Sequence, residues 1–99
     1  MADYFLTKKA VEDLNNIWEY TFQKWSEQQA DRYYYMLLNS FQEIADNPNF
    51  GKTYDQVTPE LFGLKVSRHI IFYRKLDDQP IEITRILHGR MDLKSRLKK

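Results

Sequence analysis

The first half of the chain carries apolar residues at the three- and four-residue spacing of amphipathic helices. One such stretch covers residues 8–25, and Thr7 precedes it as a candidate N-cap. A second stretch begins at the capping-box sequence Ser26-x-x-Gln29 and stops before Pro48, because the residue preceding a proline disfavours helix. The link between the two is only one or two residues, which predicts an antiparallel helical hairpin.

Each predicted helix has an apolar stripe that we expect to cover one face of a sheet. In the first helix the stripe consists of Val11, Leu14, Ile17, Trp18, Thr21, Phe22 and Trp25. In the second it consists of Ala30, Tyr33, Tyr34, Leu37, Leu38, Phe41, Ile44 and Ala45. We expect Trp18, Tyr33 and Phe41 to pack in the core. Tyr35 lies outside the stripe, so we expect it to face solvent.

Strand patterns occupy the start and the second half of the chain. Residues 4–6 are aromatic and apolar and suit a first strand, and a loop is expected over residues 47–61. Three further strands are predicted at 62–66, 68–75 and 81–88, joined by short connections typical of an antiparallel meander. The order β-α-α-β-β-β predicts an α+β fold, with the two-helix hairpin packed on a small antiparallel sheet.

Strict alternation along residues 81–88 assigns each side chain to a face. It groups Ile81, Ile83, Arg85 and Leu87 on one face, and Glu82, Thr84, Ile86 and His88 on the other. Arg85 then points toward the apolar face or its margin, and it does not converge with His88 unless a β-bulge intervenes. We expect the arginines of the strands to pair with acidic residues of the hairpin.

Composition excludes several kinds of site. The 99 residues are expected to form one domain, 1–99, with a basic tail over 90–99. The absence of cysteine excludes disulfides, thiolate metal sites and a cysteine nucleophile, and three glycines do not provide a phosphate loop. His69 and His88 are too far apart for a metal motif, so no metal or other cofactor is expected. No apolar run approaches the length of a membrane span and the N-terminal residues have no signal-peptide layout, so we expect a cytoplasmic protein.

The net charge of +1 hides a strong asymmetry between the two halves of the chain. Residues 1–60 carry a net charge of −5 and residues 61–99 a net charge of +6. This split indicates either a face for an anionic partner or a solvated basic region. The predicted strands and their ends hold Lys65, Arg68, Arg74, Arg85, His88 and Arg90, which could bind phosphates, stabilise a pentavalent phosphate or transfer protons.

Four segments together resemble the ParE toxins of the ParE/RelE superfamily, which belong to type II toxin–antitoxin systems. They are Asp13-Leu-x-x-Ile-Trp-x-Tyr20, Asn47-Pro-x-x-Gly51, Val66-x-Arg-His-Ile-Ile-Phe-Tyr-Arg74 and Ile83-x-Arg-Ile-Leu-His-Gly-Arg-Met-Asp92. The last two are the most specific. The resemblance covers nearly the whole chain, and the family's order of strands and helices agrees with the order predicted above.

The resemblance implies a toxin without catalytic residues that traps DNA gyrase and is neutralised by a ParD-like antitoxin. Operator DNA would be contacted only indirectly, through the antitoxin. We expect gyrase contacts from Arg68, Arg74, Arg90, Met91, Asp92, Lys94 and Arg96. We expect antitoxin contacts along exposed apolar grooves, with Trp25, Tyr34 and Tyr35 as anchors.

Two other functions remain open from the sequence. The related RelE branch cuts messenger RNA on the ribosome, and the residues for that chemistry would be Arg68, Arg85 and His88. The last ten residues contain neither the tyrosine nor the histidine that this branch commonly uses near its C-terminus. The second alternative is an inactive homologue that only binds its antitoxin.

If the protein does poison a topoisomerase, the sequence does not separate gyrase from topoisomerase IV as the target.

Overall fold

The helices form where the apolar spacing predicts them, and side-chain caps explain where they begin. The computed structural model describes residues 3–77 and 80–89. Helix α1 (Lys8–Lys24) follows Thr7, whose hydroxyl accepts a hydrogen bond from the Ala10 amide. Helix α2 (Glu27–Asp46) follows Ser26, whose hydroxyl accepts from the Gln29 amide. Both predicted helices and both caps are confirmed.

The sheet confirms the α+β class but contains one strand more than predicted. Its strands are β1 (Tyr4–Leu6), β2 (Lys52–Thr53), β3 (Phe62–Val66), β4 (His69–Lys75) and β5 (Ile81–His88). The spatial order is β1-β5-β4-β3-β2. Strands β2 to β5 pair antiparallel, whereas β1 pairs in parallel with β5, so the sheet is mixed. The short β2 lies in the segment expected to be a loop.

The main hydrophobic core lies between the hairpin and one face of the sheet. Helix α2 contributes Leu37, Phe41 and Ile44 to it, all fully buried. Ile71 and Tyr73 of β4 meet them from the sheet. A smaller core on the opposite face consists of Leu61, Ile70, Phe72 and Leu87, with Tyr54 packed against it. Both faces of the central strands are therefore covered, which explains the nearly continuous apolar run in β4.

Only part of the apolar stripe expected on α1 faces this core. Ala10 and Leu14 are buried, but Val11 is 43% exposed, Phe22 45% and Trp25 63%. The residues grouped by three- and four-residue steps form two neighbouring stripes on the helix, and only the one containing Leu14 meets the sheet and α2. The expectation that the whole set covers the sheet is wrong.

A tyrosine hydroxyl holds the loop after α2 against the sheet. The Tyr73 hydroxyl donates to the Pro48 carbonyl oxygen at 2.7 Å and accepts from the Gly51 amide at 2.9 Å. Residue 51 has no room for a side chain, because a Cβ there would lie 2.6 Å from the Gly63 carbonyl oxygen. The sequence Asn47-Pro-x-x-Gly51 thus makes the close approach that allows β2 to pair with β3.

A β-bulge interrupts β5 at Thr84. Phe72 lies opposite Arg85, but the next residue, Tyr73, lies opposite Ile83, which leaves Thr84 as the extra residue. The Thr7 hydroxyl donates to the Thr84 carbonyl oxygen at 2.8 Å. The residue that caps α1 therefore also satisfies a backbone group of the bulge.

Asp13 of α1 completes the hydrogen bonding of the bulge. Its carboxylate accepts from the Ile86 amide at 3.0 Å, from Arg85 Nε at 2.7 Å and from Arg85 Nη2 at 3.0 Å. The side chains of Arg85 and Asp13 are only 17% and 12% exposed. The hydrogen bond and the charge of Asp13 raise the pKa of Arg85. The expected pairing of Arg85 with an acid of the hairpin is confirmed.

The bulge also reverses the faces of the residues that follow it. Ile86 joins the main core beside Ile71, whereas Leu87 joins the smaller core on the other face. His88 lies opposite His69, whose ring contacts Tyr33 of α2. The assignment of Leu87 to the face of Ile83, with Ile86 and His88 opposite, is therefore wrong, because alternation is broken at the bulge.

We expect Asp13→Asn to reduce the free energy of unfolding by about 2 kcal/mol, because the partly buried guanidinium of Arg85 loses the charge of Asp13. The measurement is urea denaturation followed by circular dichroism. Asp31→Asn is the matched control, since Asp31 is exposed and should contribute less than about 1 kcal/mol. Equal denaturation midpoints for the two variants would contradict the stabilising role of Asp13.

Candidate functional site

The turn between β3 and β4 presents Arg68 on a fixed backbone. Ser67 has a φ of 56°, in the left-handed region that non-glycine residues rarely adopt. The Arg68 amide donates to the Tyr33 hydroxyl at 3.3 Å, and the Gly89 amide donates to the Arg68 carbonyl oxygen at 3.0 Å. Both backbone groups of Arg68 are thus bonded while its side chain is exposed. The turn holds a cationic side chain out into solvent.

Arg68 and Arg74 differ from Arg85 in their surroundings. Both are exposed, and within residues 3–77 and 80–89 neither lies at ion-pair distance from a carboxylate. Arg74 lies opposite Glu82 in the β4–β5 register. The expectation that the arginines pair with acids of the hairpin is therefore wrong for these two. Lys65 of β3 is also exposed.

Two histidines lie side by side where β4 begins and β5 ends. The ring centroids of His69 and His88 are 5.3 Å apart, in an edge-to-face arrangement. Nδ1 of His69 is 2.7 Å from the Tyr33 hydroxyl oxygen. Because this hydroxyl accepts from the Arg68 amide, its own proton can be donated to Nδ1, which places the ring proton of a neutral His69 on Nε2.

The environment of His69 favours its neutral form. Burial lowers the pKa of His69 to about 4, and the neighbouring His88 and Arg68 act in the same direction, whereas Asp13 opposes them. At neutral pH His69 is therefore not the imidazolium that could protonate a leaving group.

The three residues considered for nuclease chemistry are not assembled as one site. Arg85 directs Nε and Nη2 to Asp13, whereas Arg68 projects into solvent from the turn. His88 lies beside His69, near that turn. This end of the sheet is suited to binding an anionic group through Arg68, and the geometry of the described residues offers no matched acid and base around a phosphate.

Five of the residues expected to contact gyrase lie outside the described part of the chain. They are Arg90, Met91, Asp92, Lys94 and Arg96. The last described residue, Gly89, is bonded to Arg68, so the chain passes the fixed turn immediately before residues 90–99.

A second surface lies between the two helices, on the side away from the sheet. Trp18 stacks on Phe22 with centroids 5.3 Å apart, and its Nε1 donates to Asp31 Oδ1 at 3.0 Å. The groove beside this pair has a volume of about 510 Å³. Its lining consists of Asn15, Trp18, Glu19, Asp31, Tyr34 and Tyr35. The groove therefore combines aromatic rings with two carboxylates.

Of the aromatic residues expected to bind an antitoxin, Tyr34 and Tyr35 line this groove, whereas Trp25 is the C-cap of α1 and is not part of its lining. Trp25 is 63% and Tyr35 62% exposed, which confirms that Tyr35 faces solvent. Tyr34 is half-buried, packs partly on the core and contacts Tyr35 edge-to-face. Among the residues expected in the core, Phe41 is fully buried but Trp18 and Tyr33 are only half-buried.

Sequence reasoning missed the acidic residues of the groove. Asp31 is 13 residues from Trp18 and lies on the other helix, so no local spacing signals their hydrogen bond. The short interhelical link was the one available signal, because it brings the start of α2 back beside the end of α1.

Neither a membrane-spanning helix nor a metal centre is present among the described residues. No helix there combines the length and the apolar character that a membrane crossing requires. No group of three or more histidine, aspartate or glutamate side chains is placed to hold a metal ion in residues 3–77 and 80–89.

Comparison with protein families gives a match over almost the entire chain. The matching family model is described as "ParE toxin of type II toxin-antitoxin system, parDE", and it covers residues 4–93. The match therefore includes the fixed turn at Arg68, the bulge and the helical hairpin.

Individual relatives agree with the family model. Toxin ParE1 of Mycobacterium tuberculosis is 33% identical over 90 residues, covering 91% of this chain and 92% of the relative. Toxin ParE1 of Caulobacter vibrioides is 31% identical, covering 98% of this chain and 99% of the relative. Toxin ParE of Escherichia coli is 32% identical, covering 98% of this chain and 94% of the relative.

A solved structure shares the fold. It belongs to a "Chromosomal ParDE TA system from P. aeruginosa", and it superposes with a TM-score of 0.76 at 19% identity. The alignment covers 89% of this chain and 96% of the other. At this level of identity the match supports the architecture.

We expect the protein to lose stability as the pH falls from about 6.5 to 4. In this range His69 binds a proton in the unfolded chain but not in the folded protein, whose His69 pKa is about 4. Because the ring is only half-buried, the expected loss is about 1–2 kcal/mol. It is measured as the difference in pH dependence of unfolding between the wild type and His69→Gln. A His69 pKa near 6.5 in an NMR titration would contradict this prediction.

Proposed function

This chain belongs to the ParE toxin family of type II toxin–antitoxin systems, and we propose that it acts by binding and poisoning DNA gyrase. The observation that carries the proposal is the fixed turn at Arg68. Its backbone is bonded to Tyr33 and Gly89, so little backbone freedom is lost when the exposed guanidinium binds an anionic group. A guanidinium is well matched to carboxylates and phosphates.

The proposed mechanism requires no catalytic residue and no cofactor. Gyrase passes through a state in which DNA is cleaved. A protein that binds this state more tightly than the resealed state increases its population, and breaks accumulate. Arg68 and Arg74 supply exposed cations from the sheet, and Arg90, Met91, Asp92, Lys94 and Arg96 would extend the contact. The net charge of +6 in residues 61–99 supports an anionic partner surface.

We further propose that a ParD-like antitoxin neutralises the toxin by covering the groove between α1 and α2. Tyr35 exposes a large aromatic surface in the groove, and Trp25 exposes another at the end of α1. A partner would bury both favourably. Contact with operator DNA would then be made by the antitoxin, since the groove side of the hairpin is acidic and would repel a nucleic acid.

Removal of the guanidinium at position 68 should weaken gyrase poisoning. In a plasmid supercoiling assay with a protease–detergent step, we expect Arg68→Ala to require about tenfold more protein for equal linear DNA, the loss of one charge-assisted contact. A chain lacking residues 90–99 should produce no linear DNA while remaining folded. Arg32→Ala is the matched control, because Arg32 is exposed on α2.

Each other outcome of this assay identifies a different function. Full activity of both the Arg68→Ala variant and the truncated chain would reject this binding surface. If the wild type leaves gyrase unaffected but cleaves messenger RNA on ribosomes, the nuclease alternative is correct. If it is inactive in both assays yet binds the antitoxin, it is a binding-only homologue.

Loss of the exposed aromatic rings should weaken antitoxin binding. The variant combines Trp25→Ser and Tyr35→Ser with Tyr34→Phe, because Tyr34 packs partly on the core and its ring must be kept. We expect affinity for the antitoxin to fall at least tenfold in a pulldown or calorimetric titration, as for central aromatic contacts in other interfaces. The control is Phe50→Ser, which removes an exposed ring from the loop after α2. Undiminished binding by the folded triple variant would exclude Trp25, Tyr35 and the Tyr34 hydroxyl as antitoxin contacts.

A further inference from the structure

Strand alternation places exposed cations on the side of the sheet that faces away from the hairpin. Lys65 lies opposite Ile70, which belongs to the smaller core, so both side chains share that face. Arg74 shares it as well, because it follows Phe72 of the same core by two residues along β4. Both Lys65 and Arg74 are exposed. We call this side of the sheet the open face.

Lys52 of β2 adds a further exposed cation to the open face. It lies opposite Gly63, and a Cβ at residue 63 would meet the Tyr54 ring and the Ile70 side chain, which both belong to the smaller core cluster. Its Nζ lies 5.5 Å from the centroid of the Tyr54 ring. The open-face cations are therefore Lys52, Lys65 and Arg74.

The open-face cations are spread over a distance that matches a short stretch of DNA backbone. Arg74 lies four residues beyond Ile70, the partner of Lys65, which separates the two cations by about 14 Å along the strands. Lys52 lies level with the middle of this span, on the edge strand β2. Along one strand of duplex DNA the same distance covers about four phosphates. Arg68, one residue before β4, extends the row of cations at its Lys65 end.

Positive charge predominates on the open face. Glu82 is the single acidic residue of strands β2–β5, and its carboxylate accepts from the Thr84 hydroxyl at 3.0 Å. Two further acids, Asp55 and Glu60, lie in the loop between β2 and β3, where the Asp55 carboxylate accepts from the Glu60 amide. Within residues 3–77 and 80–89 none of the open-face cations lies at ion-pair distance from a carboxylate. The face therefore presents its cations to an external anion.

The surface of the open face differs from that of a protein interface. The large apolar residues that are exposed in the described part of the chain all lie outside strands β2–β5. Those nearest in sequence to these strands are Phe50 before β2 and Leu76 after β4. Protein–protein interfaces take most of their binding energy from a few buried anchors, many of them aromatic, whereas interfaces with DNA are more polar and much more positively charged. The open face therefore favours a phosphate backbone over a protein surface.

The aromatic rings of the open face favour a duplex over a single strand. Proteins bind single-stranded nucleic acids by stacking the bases on exposed aromatic rings. The Tyr54 ring is half-buried, contacts Phe72 edge-to-face with centroids 5.1 Å apart, and has Lys52 Nζ over it. Phe72 itself is fully buried. Neither ring is open to a base, so the cations are left to bind the backbone of a duplex, whose bases are already stacked.

We propose that the open face binds the phosphate backbone of duplex DNA through Lys52, Lys65 and Arg74. The contact carries no sequence information, because phosphates are the same at every base pair. It therefore differs from recognition of an operator. Within the proposed function, on which this identification rests, the duplex is the DNA held by gyrase, and the toxin binds protein and DNA together.

A labelled duplex tests the open face directly. Binding of the full chain to a duplex of about 20 base pairs is followed by fluorescence anisotropy between about 50 and 200 mM salt. The variant Lys52→Gln, Lys65→Gln should bind at least about tenfold more weakly than the wild type at the lowest salt. The slope of log K against log salt should become shallower by about 1.8, because each lost phosphate contact removes about 0.9.

The matched control is Lys9→Gln, Lys24→Gln, which removes two exposed cations from α1 and should leave affinity and salt slope unchanged. Circular dichroism checks that both variants are folded. Equal salt slopes of the two variants would overturn the proposal, and so would failure of the wild type to bind the duplex. Tighter binding of a single-stranded RNA of the same length would overturn it in favour of RNA. Equal competition by polyglutamate would overturn it in favour of an acidic protein surface.

The gyrase assay separates a failure of the open face from a failure of the proposed function. We expect the Lys52→Gln, Lys65→Gln variant to require about tenfold more protein than the wild type for equal linear DNA. If the wild type produces linear DNA but the variant retains full affinity for the duplex, the open-face proposal fails and gyrase poisoning stands. If the variant loses affinity for the duplex but the wild type produces no linear DNA, gyrase poisoning fails and the open-face proposal stands.

Discussion

The carboxylate of Asp13 determines how the second half of the sheet is arranged. It accepts three hydrogen bonds at the β5 bulge, two from Arg85 and one from the Ile86 amide. A bulge leaves backbone groups without hydrogen-bonding partners on the neighbouring strand. Here two side chains provide these partners: Asp13 accepts from the Ile86 amide, and the Thr7 hydroxyl donates to the Thr84 carbonyl oxygen. The resulting change of face sends Ile86 into the main core and brings His88 beside His69. Gly89, whose amide bonds the Arg68 carbonyl oxygen, directly follows His88 at the end of this strand.

The parts of the fold set by local interactions could be predicted from the sequence, and the parts set by long-range pairing could not. The helices, their caps at Thr7 and Ser26 and the meander all depend on neighbours close along the chain. The bulge at Thr84 depends on an acid 71 residues earlier, and the parallel pairing of β1 depends on β5. Strict alternation was therefore right up to Ile83 and wrong after it. The apolar residues of α1 were wrongly grouped as one stripe, because spacing alone does not show which of two adjacent faces meets the core.

For the candidate site, sequence reasoning identified residue types more successfully than their surroundings. Arg68 and Arg85 are both arginines on predicted strands, yet one is exposed on a turn and the other is nearly buried against Asp13. The resemblance to ParE toxins pointed to the segment containing Arg68, but the hydrogen bonds that fix its backbone come from Tyr33 and Gly89, distant in sequence. The aromatic excess correctly indicated exposed rings on the hairpin. The acids that border these rings became visible only once the two helices were placed side by side.

The strand order β1-β5-β4-β3-β2 has a consequence for how the protein is made. The first strand of the chain pairs with the last, so β1 has no hydrogen-bonding partner until residues 81–88 have been synthesised. The helical hairpin has local contacts and can form early, whereas the sheet closes only through contacts between residues more than 70 positions apart. The Arg68 turn receives its bond from Gly89 at the same late stage. During translation the nascent chain therefore displays the helical surface before the sheet has been assembled.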